Sequence, residues 1–207
     1  MRFVLATASP HKTEEIGAIL GAALPGIELV PRPEDVPDVV EDGLTFQDNA
    51  RLKAVALCDA TGLPAIADDT GLEVDALDGA PGVHSARFAG GPDEAPDVER
   101  NLALLLERLR GVPAERRTAR FVTVALVHYP DGREVVAFGD VEGRIVDDGH
   151  AVPAGFAYDR VFAPDEGDGR TFAEMTPEEK HVISHRGRAF RTLAGGLRII
   201  RGPSPPG

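Results

Sequence analysis

The chain has 207 residues, 43% of them hydrophobic, which suits one domain or one domain with a small lobe. Its formal net charge of −12 sets the surface against nucleic acid, so a small anionic substrate would need local cations or a metal. No apolar run approaches the roughly 20 residues of a membrane span, no signal-peptide pattern is present, and a lone cysteine, Cys58, excludes an internal disulfide framework; the expectation is a cytoplasmic protein with neither membrane nor nucleic-acid partners.

Residues 2–6 predict a first strand through Phe3, Val4 and Leu5. Thr7-Ala8-Ser9-Pro10-His11-Lys12 then opens a helix running to about Leu20, with Ser9 as N-cap and Pro10 at its first position. A strand, a short polar loop and a helix N-terminus with a lysine can hold a phosphate through backbone N–H groups and the helix dipole. An ordinary capped helix is the competing reading, and the glycines of a Walker A loop are absent. Residues 27–30 predict a second strand, followed by an acidic, proline-rich loop over 31–43 carrying Asp35, Asp38, Glu41 and Asp42. Thr45 and Asp48 form a capping-box pattern, with Asp in the usual Glu position. The helix it starts places Phe46, Ala50, Ala54 and Leu57 on one face and ends near Gly62, with Cys58 read as a packed core thiol.

Residues 64–82 are the most informative stretch. Ala65-Ile66-Ala67 reads as the end of a buried strand that stops on Asp68-Asp69-Thr70-Gly71; Leu72, Val74 and Ala76 then alternate with Glu73 and Asp75 as in a half-buried strand. Adjacent carboxylates at the carboxyl edge of a sheet suit a hard cation such as Mg²⁺, which takes one or two carboxylates and leaves its other positions to water and phosphate. A plain turn of Asp, Thr and Gly is the alternative.

Residues 79–87 read as a loop, and 97–110 as a helix with Val98, Leu102, Leu105, Leu106 and Leu109 as its stripe. Residues 118–127 and 134–146 predict strands joined by a turn at Tyr129-Pro130-Asp131-Gly132. Further on, Phe156 could stack on a purine and Asp159 could accept from a ring N–H, although Phe156 and Phe162 are also plausible core residues. Thr176-Pro177-Glu178-Glu179 is a capping box with proline at N1, starting a helix whose stripe is Val182, Ile183, Ala189, Phe190 and Leu193. A disordered tail is expected over 202–207. Only three of the 22 Lys and Arg residues are lysine, and Lys12, Lys53 and Lys180 all fall in segments singled out on other grounds.

Taken together, Ala67-Asp-Asp-Thr-Gly-Leu72 running into Gly79-Ala-Pro-Gly82, Gly43-Leu-Thr-Phe46 with Asn49-Ala50 and Lys53-Ala54, and Ser184-His-Arg-Gly187 resemble the inosine/xanthosine triphosphate pyrophosphatases over nearly the whole chain. The resemblance implies an α/β fold: one domain over 1–201, with a long twisted mixed sheet flanked by helices, two lobes and a nucleotide cleft between them, assembled as a homodimer. It implies Mg²⁺-dependent hydrolysis of nonstandard purine nucleoside triphosphates to the monophosphate and pyrophosphate. Asp69 would then be proton acceptor and metal ligand, with Glu41, preferred over Asp42 and Asp38, as the second ligand. Substrate contacts would come from Thr7, Ala8, Ser9, Pro10, His11, Lys12, Lys53 and Thr70 toward the phosphates, and from Phe156, Ala157, Tyr158, Asp159, Lys180, His185 and Arg186 toward the base. The family's Thr-Gly-Asn and Phe-Gly-Tyr-Asp are here Thr7-Ala8-Ser9 and Phe156-Ala157-Tyr158-Asp159. The first departure loses an amide near phosphate or metal; the second adds a methyl near the base. Thr7-Ala-Ser-Pro10 also resembles the septum-inhibitor-type pyrophosphatases, which act on pyrimidine or modified nucleotides. A non-hydrolysing nucleotide-binding protein on the same fold is the third reading.

Overall fold

A computed structural model of the chain describes residues 1–7, 9–91, 94–147 and 157–201, the side chains of Ala157 and Arg201 excepted. The tail expected over 202–207 lies outside them. The strands are β1 (Arg2–Leu5), β2 (Glu28–Val30), β3 (Ala65–Val74), β4 (Thr118–His128), β5 (Glu134–Ile145) and β6 (Phe162–Pro164). The helices are α1 (Pro10–Ala23), α2 (Phe46–Thr61), α3 (Val98–Arg108), α4 (Pro177–Ile183) and α5 (His185–Arg201). The strands form one sheet in the order β2-β1-β3-β4-β5-β6. It is mixed: β1 lies parallel to β2 and β3, whereas β6 runs antiparallel to β5. No helix among the described residues is long and apolar enough to cross a membrane.

The chain forms two compact units. The first comprises Met1–Asp69, Thr123–Gly139 and Arg186–Gly207; the second comprises Thr70–Val122 and Asp140–His185. In the first, Ile16, Ile19 and Leu20 of α1 and Ala189, Phe190, Leu193 and Leu197 of α5 pack with Phe3, Leu5, Ile66, Ala125 and Val127. Side chains alternate across a strand, so Val4, Ala65 and Ala67 take the other face. They are equally buried, and α2 touches β1. Helix α2 starts as expected, with Thr45 Oγ1 accepting from Asp48 N at 3.1 Å, and ends at Gly62, whose φ of +67° glycine adopts without a Cβ clash. Asp48, one methylene shorter than Glu, instead accepts the Thr45 hydroxyl proton at 2.7 Å. Cys58 is buried in this helix, and burial pushes its thiol up, as suits a core residue.

In the second unit, Leu102 and Leu105 of α3 and Leu109 just beyond it pack with Leu72, Phe121, Val141, Tyr158, Phe162 and Phe172. The turn after β4 closes through Gly132 N to Tyr129 O and Tyr129 N to Arg133 O, both at 2.9 Å.

Four expectations need correction. Helix α1 continues past Leu20 to Ala23. The strand expected to stop at Asp68 runs unbroken from Ala65 to Val74, because sheet pairing outweighs the turn preference of Asp, Thr and Gly. The presumed loop over 79–87 contains a 3₁₀ helix at Gly82–Arg87. The helix begun by the Thr176 capping box is two helices, divided at Ser184, whose backbone is extended (φ −70°, ψ 155°) and whose side chain is fully buried. Val182 is accordingly exposed, and so is Val98 at the start of α3.

The α3 stripe supplies a direct comparison. Leu105→Ala should cost about 2–5 kcal/mol, whereas Val98→Ala should stay within about 0.5 kcal/mol. Urea unfolding of the two variants checks this, and equal losses would contradict the burial described for α3.

Candidate active site

Pairing of β1 with β3 ends at Leu5 opposite Ile66, while β3 continues. Asp68 and Asp69 therefore lie on β3 just beyond the end of its parallel partner. Being consecutive in a strand, they point to opposite faces. Asp68 shares the face of Ile66 and meets side chains from α1 and α5; Asp69 meets side chains from α2.

On the α1 and α5 face, Asp68 Oδ2 lies 3.0 Å from Lys12 Nζ and 3.5 Å from Arg186 Nε. Arg186 Nη1 in turn lies 2.5 Å from Glu15 Oε2. Asp68 is almost completely buried, which by itself would raise its pKa. Lys12, Arg186 and Lys53 outweigh burial and hold the carboxyl well below the usual carboxylate range. Burial lowers the pKa of Lys12, although Asp68 acts in the opposite direction. The start of α1 is built as the sequence predicts: Ser9 Oγ accepts from Lys12 N at 3.4 Å, and Ser9 N donates to Thr7 Oγ1 at 3.1 Å. Pro10 and His11 are exposed on the first turn. Ala8 lies outside the described residues.

On the α2 face, Asp69 Oδ1 lies 3.3 Å from Lys53 Nζ, and Asp69 Oδ2 accepts from Asn49 Nδ2 at 3.2 Å. Lys53 Nζ also reaches Glu41 Oε2 at 2.8 Å. Burial, helped by Glu41, raises the Asp69 pKa against the pull of Lys53, Lys12 and the Asn49 amide. Two neighbouring aspartates are thus pushed apart: one is locked as an anion, the other is more basic than a free carboxylate. Such splitting suits a proton acceptor beside a structural charge. Glu41 and Asp69 share one cation. Asp38 is instead bonded to Arg32, with its side chain 88% exposed, and Asp42 is exposed. Among the described residues no group of three or more His, Cys, Asp or Glu side chains is placed to hold a metal. A pair of carboxylates nevertheless fits Mg²⁺, which draws its remaining ligands from water and phosphate.

In the second unit, Thr70 follows Asp69 on β3 and is half-buried. Lys180 Nζ lies 2.6 Å from Asp159 Oδ2 and 5.3 Å from the centre of the Phe172 ring. Among the described residues, the buried Asp159 Oδ1 has no hydrogen-bond partner. The His185 ring is buried and stacks on Phe121, with centroids 4.6 Å apart and planes 17° apart. Tyr158 differs from the rest: its side chain is in the core, and its hydroxyl donates to Ser85 O at 3.0 Å. Phe156 lies outside the described residues, and only the backbone of Ala157, opening the 3₁₀ turn Ala157–Arg160, is described.

Several residues at these sites had no role in the sequence reading. Glu15 lies three positions after Lys12 and so shares its side of α1, a spacing that could have paired them. Asn49 is buried and joins two segments: while its amide holds Asp69, its Oδ1 accepts from Gly43 N at 2.8 Å. A Cβ on Gly43 would lie 2.7 Å from that same Oδ1, so glycine is required there by close approach. Ser85 fastens the 3₁₀ segment, taking Leu72 N on its hydroxyl at 2.9 Å, and Asn101 Nδ2 donates to Ala86 O at 2.8 Å. No local pattern signals these long-range contacts.

The environments of the two aspartates give opposite expectations. Asp68→Asn would leave Lys12 and Arg186 short of a buried counter-charge and should cost about 3–5 kcal/mol at pH 7. Asp69→Asn removes a carboxylate whose ionisation is disfavoured and should cost under about 1 kcal/mol. Because the folded Asp68 pKa lies below its ordinary 3.8, its contribution is complete above that value and is lost as pH falls below it. Chemical denaturation of both variants at pH 7 and pH 3 tests this; the Asp68→Asn deficit should shrink at the lower pH.

Residues 3–195 match the family model of the Ham1 family. The dITP/XTP pyrophosphatase of Streptomyces coelicolor is 48% identical over 211 residues, covering 97% of this chain and 99% of that protein. The dITP/XTP pyrophosphatase of Thermus thermophilus is 47% identical over 209 residues, covering 100% of this chain and 95% of that protein. Among solved structures, a HAM1 protein from Coxiella burnetii superposes with a TM-score of 0.83 at 36% identity, covering 95% of this chain and 98% of its own. The nucleoside-triphosphatase/dITP/XTP pyrophosphatase of Mycobacterium abscessus gives 0.72 at 44% identity, covering 96% and 100%.

Proposed function

The chain belongs to the Ham1 family, and we propose from that premise that it hydrolyses nonstandard purine nucleoside triphosphates, those of inosine, deoxyinosine and xanthosine, to the monophosphate and pyrophosphate. The observation that carries the reaction type is the divided aspartate pair on β3, with a buried, basic Asp69 beside an anionic Asp68. The relatives named dITP/XTP pyrophosphatase support the substrate class.

Water attacks the α-phosphorus, the bond to the bridging oxygen breaks, and pyrophosphate leaves. Asp69 accepts the proton that the water gives up. Its raised pKa improves it as a base, and the Asn49 amide and Lys53 ammonium fix its orientation. Lys12, Lys53 and the start of α1 with Thr7 and Ser9 take the phosphates, where their positive charge offsets what builds up on the leaving group. Glu41 and Asp69 would hold a divalent cation, Mg²⁺ in this reading, which would supply charge neutralisation for the phosphates and a lowered pKa for the water.

The base is read by Asp159, Lys180, His185 and Arg186. Asp159 Oδ1 is a buried acceptor suited to the protonated ring nitrogen that hypoxanthine and xanthine carry and adenine lacks. Donors on His185 and Arg186 suit a 6-oxo group and face a 6-amino group badly, and polar groups left unpaired reject the wrong base strongly. Arg186 is held for this by Glu15 and Asp68. A homodimer, as the family resemblance implies, in the cytoplasm, as the lone cysteine leads one to expect, completes the proposal.

Pyrophosphate release should be fast from inosine triphosphate, slow from adenosine triphosphate, and dependent on Mg²⁺. Asp69→Asn should lower kcat by about 10²–10⁴. His185→Ala and Arg186→Ala should narrow the preference for inosine over adenosine triphosphate; an unchanged preference in both variants would refute the base-reading assignment.

A further inference from the structure

Lys53 stands between the two carboxylates assigned above to the metal. Its Nζ is 2.8 Å from Glu41 Oε2 and 3.3 Å from Asp69 Oδ1, while the second oxygen of Asp69 is taken by the Asn49 amide. The Lys53 side chain is only 14% exposed, so its ammonium leaves these partners only at a desolvation cost. Glu41 belongs to the irregular stretch between β2 and α2. That stretch is pinned close by through Gly43 N to Asn49 Oδ1, and Arg32 ties its earlier part to Asp38 and to the Val36 carbonyl. Lys53 is therefore the one cation bridging Glu41 and Asp69 among the described residues.

An ammonium and a divalent cation compete for the same oxygens. Mg²⁺ draws its ligand oxygens to about 2.0–2.1 Å, and a lysine charge a few ångströms from it would be repelled. We propose that Lys53 is the resident counter-ion of the metal site: it holds Glu41 and Asp69 together when no divalent cation is bound, and yields its place when one arrives. The displaced ammonium then goes to the phosphates of the substrate. Metal and triphosphate thereby help each other to bind, since each accounts for one half of the exchange. The proposal rests on Glu41 and Asp69 being the metal ligands.

The test is calorimetric titration of Mg²⁺ into the substrate-free full chain, without turnover. Wild type should bind weakly. Lys53→Met and Lys53→Gln should bind at least about tenfold more tightly, as expected for removing a like charge from the site. Lys53→Arg, which keeps the charge, should stay nearer wild type. Asp69→Asn should lose binding. Thermal melting provides a second readout: without metal, Lys53→Met and Lys53→Gln should melt below wild type, and Mg²⁺ should raise their midpoints further than it raises that of wild type. Unchanged or weaker affinity in both neutral Lys53 variants, with binding lost in Asp69→Asn, would overturn the exchange while leaving the ligand assignment intact. Wild-type affinity in Asp69→Asn would instead overturn the ligand assignment itself. Wild type supplies a measurement free of any mutant: a non-hydrolysable inosine triphosphate analogue should tighten Mg²⁺ binding, and independence of the two would also overturn the exchange.

Discussion

The alternation of side chains along β3 governs the charge arrangement of the candidate site. Two aspartates adjacent in sequence would repel each other if they shared a compartment, and one would take up a proton. The strand sends Asp68 to Lys12 and Arg186, and Asp69 to Asn49 and Lys53. One carboxylate becomes a permanent anion that keeps two buried cations in place; the other is left basic. A turn at this point, as the composition alone would suggest, would not enforce that division, because a turn has no fixed period. Continuity of the strand through Asp68 and Asp69 is therefore part of the proposed active site and not merely its support.

The charges around the pair form connected chains. Glu15, Arg186, Asp68 and Lys12 follow one another with alternating sign on one face of β3; Glu41, Lys53 and Asp69 do so on the other. Each buried charge has an opposite neighbour, which is the condition for keeping ionised groups out of water. It also means that no single member acts alone: a change at Glu15 is felt by Lys12 through Arg186 and Asp68, although Glu15 need not touch a substrate.

Much of this was legible before any coordinates. Thr45, Thr176, Pro10 and Ser9 are local signals, and each helix start falls where they place it, because capping depends on residues within one turn. The lysines and aspartates that meet at β3 were also visible as separate clues. Contacts between residues far apart in sequence were not. Asn49 reads as an ordinary helical residue until Gly43 and Asp69 are brought to its two ends. The division at Ser184 carries no local signal, because Ser-His-Arg-Gly contains no proline and continues an apolar stripe; packing, not local preference, breaks the helix there. Val182 was assigned to that stripe on periodicity alone, and the break leaves it exposed.

The polypeptide passes between the two units four times, after Asp69, Val122, Gly139 and His185. Neither unit is a continuous segment, and the first closes its core only with Ala189, Phe190, Leu193 and Leu197 of α5 against Phe3 and Leu5. As the chain leaves the ribosome, β1 therefore waits for α5, the last of the described helices, before the face it shares with α1 is fully covered. Folding of this unit cannot proceed from the N-terminus as residues emerge. The long sequence separation of these contacts makes closure slow, and in that interval the nascent sheet has a partly covered apolar face that a chaperone, or a neighbouring chain, can reach first.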